Sequence, residues 1–290
     1  MKAADSTATG TSPDVPEQSA VPVERELGTR VFLACLFLIA CFYATVLIYH
    51  SAYPPDTQTV TADSGFLERC RQICLKYGLV STGNLRRDAE NYIQVVQSSP
   101  LTTGLSEILS TPNFQPASSE SNALLHQPAP DFSLTDDRNT PHTLSRLAQN
   151  RPVVVVFYLG YGCSHCVAQL VSLDRDAHYF RELDADIVAI SADPAEHTAQ
   201  RFAEYGRFRF NVLSDPDRTV AKQWGVFHAA QGEQDEWMDH GTFVVDRNGK
   251  VIWSRQGNEP WLDNQTLLHV IARSQGLLSD SIAQNNPGEQ

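Results

Sequence analysis

An unbroken apolar run, Val153 to Tyr158, leads through Leu159-Gly160-Tyr161 into Gly162-Cys163-Ser164-His165-Cys166. Apolar residues then recur at Leu170, Leu173, Ala177 and Phe180. The run has the length of a buried strand and the later spacing is helical, so a cysteine pair falls on a strand-to-helix turn. The first amides of a helix have no acceptor within it, and together with the helix dipole they stabilise a thiolate. A thiolate placed there can attack disulfides, reduce peroxides or bind a soft metal.

A chain of 290 residues can hold one sizeable domain with accessories, or two small ones. Its net charge of −12, with no basic run, argues against a nucleic-acid partner. Val31 to Tyr49 carries no charge and has about the twenty residues that a helix needs to cross a hydrocarbon core. Arg25 and Arg30 precede it and no Lys or Arg follows before Arg69, so the positive-inside rule leaves the N-terminus in the cytoplasm. An uncleaved single-pass anchor is expected rather than a signal peptide, because the leader is long and acidic and no clear small-x-small site follows. The C-terminal part then lies outside the cytoplasm, on the periplasmic side if the source is bacterial.

Composition divides the chain further. Residues 1–29 read as a disordered cytoplasmic tail, 30–50 as the anchor and 51–110 as a helical juxtamembrane segment. In that segment Phe66, Cys70, Ile73, Cys74 and Tyr77 share one helical face, with Gly78 as a stop. A second helix, Leu85 to Gln97, carries Ala89, Tyr92, Ile93 and Val96. The Ser/Pro-rich stretch 111–127 reads as a linker, 128–278 as an α/β domain of alternating strands and helices, and 279–290 as a second disordered tail. Within the domain, strands are expected at Phe132–Leu134, Val153–Leu159, Asp186–Ala192 and Phe210–Leu213. Helices are expected at Glu196–Tyr205, Val220–Trp224 and Asn264–Ser274. Thr242–Val245 and Val251–Ser254 form a hairpin around Asn248-Gly249.

The order strand, Cys-x-x-Cys turn, helix, further strand–helix units and final hairpin plus helix resembles the thioredoxin-like fold, a central mixed sheet flanked by helices. Residues from about 128 to 278 resemble its peroxiredoxin-like branch, the alkyl hydroperoxide reductase and thiol-specific antioxidant family. The resemblance rests on Ala129-Pro130-Asp131-Phe132-Ser133-Leu134, the register from Phe157 to Cys166, Ile190-Ser191-Ala192-Asp193, Leu213-Ser214-Asp215-Pro216 and Thr242-Phe243-Val244-Val245-Asp246. That register sets Cys166 at the peroxidatic position. It also puts Leu159 and Cys163 where the family has Pro and Thr, and His240 where it has Arg. Loss of the Thr and Arg together removes donors that orient a peroxide, which predicts weak peroxidase activity.

Four residues are therefore the candidate site. Cys163, nearer the helix N-terminus, is expected to attack, and Cys166 to resolve the mixed disulfide. His165 resembles the histidine of oxidising Cys-x-His-Cys proteins of this fold, which implies a stabilised thiolate. His240 is expected beside the cysteines, either as a cation or donor favouring the thiolate or as a third Cu(I) ligand, an arrangement similar to that of the copper-handling Sco family. Cys70 and Cys74, one helical turn apart, could form a disulfide, act as partner thiols, bind a soft metal or simply fill a core.

The resulting expectation is a membrane-anchored extracytoplasmic thiol-disulfide oxidoreductase acting on protein thiols or disulfides. A thiol peroxidase using Cys166 on hydroperoxides is the alternative, and a Sco-like copper-binding module is the third reading. No organic cofactor is required and no metal is assigned. The sequence sets no oligomeric state.

Overall fold

The computed structural model describes residues 23–52, 71–96, 100–162, 164–230 and 236–278. Two compact units divide the chain, Met1–Val60 and Thr61–Gln290. Cys70, Cys163, most of the N-terminal tail and the tail at 279–290 lie outside the described residues.

The first unit contains α1 (Val23–Ala52), so residues 23–29 of the segment expected as disordered tail are helical. Its described side chains, 29–45, are all exposed, Phe32, Phe37, Leu38 and Phe42 among them. Among the described residues no helix is long and apolar enough to cross a membrane, which leaves the anchor expected at 30–50 without structural confirmation.

The second unit is built on a seven-stranded sheet. In chain order its strands are β1 (Ser133–Asp136), β2 (Pro141–Thr143), β3 (Val153–Phe157), β4 (Asp186–Ser191), β5 (Asn211–Ser214), β8 (His240–Val245) and β9 (Val251–Gly257). Two short strands, β6 (Phe227–His228) and β7 (Trp237–Met238), pair separately. Across the sheet the order is β2-β1-β5-β4-β3-β8-β9. β3, β4 and β5 run parallel, and β8 runs antiparallel to β3 with Phe157 opposite Gly241.

The β3 run is apolar throughout because helices cover both faces of the sheet. Val154, Val156 and Tyr158 enter one core with α6 (Ser164–Glu182), α9 (Asn264–Ser274) and α3 (Leu85–Val95). Val153, Val155 and Phe157 enter the other with Trp224 and Phe243. On the second face lie α5 (Leu144–Leu147) and α8 (Thr219–Gln223), while α7 (Ala195–Tyr205) follows β4 and adds Phe202 to the first core. Burying a side chain such as Leu or Phe in this way contributes about 1.5–3 kcal/mol.

The residues ahead of the α/β domain pack onto it. Helix α2, described over 71–76, ends where Gly78 adopts φ +66°. α3 buries Ala89, Tyr92 and Ile93, the face that its spacing predicts, together with Asp88. The Asp88 carboxylate accepts from the Thr82 amide and hydroxyl and from Ser81, which fixes the loop between the two helices. A short helix, α4 (Leu105–Leu109), joins the same core. Within 111–127, the segment of linker composition, the Ala117 carbonyl accepts from Trp253 and the Glu120 amide donates to the Ser254 carbonyl, tying it to β9.

Candidate functional site

The turn from β3 into α6 is held from the neighbouring strand. Asp193, just beyond β4, accepts from the Tyr161 amide at 2.8 Å. Gly160 makes that approach possible: its φ is +103°, and a Cβ there would lie 2.8 Å from an Asp193 carboxylate oxygen. The turn sets Ser164 as the first residue of α6, and His165 and Cys166 follow in its first turn, both 0% exposed.

The antiparallel register of β8 then brings His240 to the same end of β3. It is also buried, and its ring centroid lies 5.8 Å from that of His165. One ligand atom each from His165, Cys166 and His240 lie within 4.8 Å of one another. One turn further along α6, Gln169 donates from Nε2 to the Thr242 hydroxyl at 2.7 Å, which couples the helix that carries Cys166 to the strand that carries His240.

A second sulfur comes from outside the α/β domain. Cys74 Sγ on α2 is 3.9 Å from His165 Nδ1, while Cys166 Sγ is 3.7 Å from His165 Nε2. The imidazole of His165 thus faces a sulfur at each nitrogen. Tyr92 packs on that ring at 5.7 Å between centroids, and Tyr77 meets Tyr92 edge-on at 5.4 Å. Glu259, in the loop after β9, accepts from Lys76 at 2.8 Å and from the Tyr77 hydroxyl at 3.1 Å, fastening α2 over the site. These partners, Lys76 first, hold the Glu259 carboxyl below the usual carboxylate range. Beside α2 a cleft of about 390 Å³, lined in part by Cys74, Gly162 and Ser164, reaches the start of α6.

Electrostatics corrects one expectation. Burial, assisted by His165, lowers the His240 pKa to about 3, so this side chain is a neutral imidazole at neutral pH and not a cation. Neither of its ring nitrogens has a hydrogen-bond partner among the described residues. Burial likewise raises the Tyr92 hydroxyl far above the phenol range, so it stays protonated.

Of the four residues chosen from the sequence, the structure brings His165, Cys166 and His240 together, and Cys163 lies outside the described residues. Sequence reasoning left Gln169 without a role. The signal that could have identified it is its position one turn after Cys166, paired with a hydroxyl two residues after His240. For Cys74, the sequence left four options open, and its place beside His165 agrees with that of a thiol partnering the domain's cysteines.

The chemistry available is that of a buried thiol between two imidazoles. An imidazole nitrogen at hydrogen-bond range can take the thiol proton, and a neutral second imidazole can donate one hydrogen bond or one lone pair.

Comparisons with known proteins show what the α/β domain is similar to. Residues 125–254 match the AhpC/TSA family. A Mycobacterium tuberculosis protein named as a peroxiredoxin is 38% identical over 122 residues, covering 42% of this chain and 78% of that protein. The chloroplastic peroxiredoxin Q of Sedum lineare is 32% identical over 126 residues, covering 42% of this chain and 63% of the plant protein. The crystal structure of peroxidoxin BcpB from Mycobacterium tuberculosis aligns with a TM-score of 0.47 at 30% identity, over 55% of this chain and 100% of that one. The matched family region excludes α2 and α3, so Cys74 and Tyr92 reach the site from an addition to the matched region. With more than three quarters of a peroxiredoxin matched at 38% identity, the chain belongs to the AhpC/TSA peroxiredoxin family, oxidoreductases that work through cysteine thiols on a thioredoxin-like fold.

Proposed function

We propose that this chain is a thiol peroxidase whose reacting sulfur is Cys166. The observation that carries the proposal is the placing of that thiol in the first turn of α6, with nitrogens of His165 and His240 close by. Family membership favours peroxide over protein disulfides, which reverses the order expected from the Cys-x-x-Cys spacing.

In the first step His165 Nε2 takes the Cys166 proton, and the thiolate attacks the near oxygen of a hydroperoxide. The S–O bond forms as the O–O bond breaks. The leaving alkoxide or hydroxide collects a proton, giving an alcohol or water and leaving Cys166 as a sulfenic acid. A second thiol attacks that sulfur, releasing water and forming a disulfide, and an external dithiol returns the two electrons. Cys163 is the proposed second thiol by sequence proximity. A neutral His240 offers one hydrogen bond where a guanidinium would offer a planar fork, so slow turnover with hydrogen peroxide is expected.

Stopped-flow peroxide consumption by the reduced full chain tests this. Cys166→Ser should abolish the first turnover, while Cys163→Ser should keep it and stall at the sulfenic acid. The opposite pattern, with disulfide exchange lost in Cys163→Ser, would instead establish the dithiol reading with Cys163 as nucleophile. That second reading is favoured by the cysteine standing where the family has Thr.

The uncharged run at Val31 to Tyr49 and the exposed apolar side chains of α1 support attachment to a membrane, with the α/β domain outside the cytoplasm. Protease added to vesicles of known orientation checks it. Digestion of the domain from the cytoplasmic face alone would refute the topology.

A further inference from the structure

Within the site proposed for peroxide chemistry, the side chain whose surroundings that chemistry explains least is His240. It is 2% exposed and without a hydrogen-bond partner at either ring nitrogen among the described residues. A buried polar group left in that state is costly unless something fills the gap, because it has given up its water. What it faces is a sulfur and a second imidazole.

We propose that Cys166 Sγ, His165 Nε2 and a ring nitrogen of His240 form a binding site for one Cu(I) ion. Three features point to a soft monovalent ion. The donor set is one thiolate and two imidazoles, which suits copper and excludes the oxygen-seeking Mg²⁺ and Ca²⁺. The spacing is right: metal–sulfur and metal–nitrogen bonds of about 2.3 and 2.0 Å at trigonal or tetrahedral angles separate the two donors by about 3.5–3.7 Å. The Cys166 Sγ to His165 Nε2 distance is 3.7 Å.

Charge balance decides between ions. Binding Cu⁺ displaces the single proton of the Cys166 thiol, so thiolate and metal leave the buried site neutral. Zn²⁺ on the same ligands leaves a net positive charge, and the three-residue cluster includes no carboxylate to offset it. Glu259, in the loop after β9, is already paired with Lys76 and Tyr77. Gln169 and Thr242 hold the two ligand-bearing elements in register without the metal, so the site is largely built in advance.

Titration of the reduced full chain with Cu(I) under anaerobic conditions, against a chromogenic copper chelator, should give one ion per chain. His240→Leu should weaken binding at least tenfold, with circular dichroism confirming that the variant is folded. Copper K-edge absorption of the wild-type complex covers the case in which it is not, and should show one sulfur and two nitrogens. Three results would overturn the proposal: no copper retained against the chelator, unchanged affinity in folded His240→Leu, or a spectrum with two sulfurs that depends on Cys163. Zn(II) retained as firmly as Cu(I) would refute the charge argument. Peroxide consumption is measured on metal-free protein, so failure of that activity and failure of copper binding are independent outcomes.

Discussion

The hydrogen bond from Gln169 to Thr242 should be worth more to this protein than its single contact suggests. Both residues are buried, at 0% and 1% exposure, and the bond is 2.7 Å long. Replacing Thr242 with Val leaves the Gln169 amide donor unmatched, and its Oε1 already has no partner among the described residues. A buried donor stranded in this way costs about 1–3 kcal/mol. Gln169→Leu instead strands the Thr242 hydroxyl, but it also removes the unmatched Oε1, so the loss should sit near the lower end, about 1 kcal/mol. Combining the two places apolar side chains of similar size on both sides, and the double variant should recover most of the loss, giving a coupling energy of about 1–2 kcal/mol. Urea denaturation of the four members of the cycle measures it. Stabilities that add to within about 0.5 kcal/mol would show that the two side chains do not act as a pair, and the reasoning would fail.

Other outcomes follow from the same geometry. Gly160→Ala should destabilise by about 2 kcal/mol or more, since positive φ and contact with Asp193 act together, and it should slow reaction at Cys166; a stability unchanged within error would refute the strained-turn account. Pairing with Asp193 raises the His197 pKa, so its contribution is complete below the ordinary histidine pKa and is lost as pH rises through the raised value. Asp193→Asn should therefore flatten that part of the stability–pH curve, and an unchanged slope between wild type and variant would count against the pair. Glu259→Gln should cost less than about 1 kcal/mol, because the Lys76 contact is exposed. It should nevertheless speed alkylation of Cys166 several-fold as α2 loosens, an effect read by mass spectrometry of the modified peptide; equal rates would show that α2 does not cover the thiol.

The α/β domain was legible because its signals are local and repeated. The unbroken apolar run of β3, the three-four spacing in α6, and the Asn248-Gly249 turn between β8 and β9 each satisfy one rule, and the structure forms each nearly where expected. Elements too short to show a period went unread: β2 has three residues, and β6 and β7 have two each. Composition also misled at 111–127, where Ser and Pro suggest a tether but side-chain and backbone groups bond to β9. Local signals cannot report that a segment will find a distant edge.

The site divides along the same line. A cysteine on a strand-to-helix turn and a histidine at the start of the facing strand are matters of register, and register can be counted in sequence. Their charge states are not, because these depend on how many elements close over them. His240 is neutral because burial at the start of β8 disfavours its charged form, and His165 adds to the shift. The cover over His165 likewise comes from packing that no spacing rule specifies: Tyr92 reaches it from α3, Cys74 reaches it from α2, and Glu259 pairs with Lys76 of α2 from the far end of the chain. A cation at position 240 would have preserved the family's way of meeting a peroxide. A neutral imidazole keeps the hydrogen bond, gives up the charge, and acquires a lone pair that a soft metal can use.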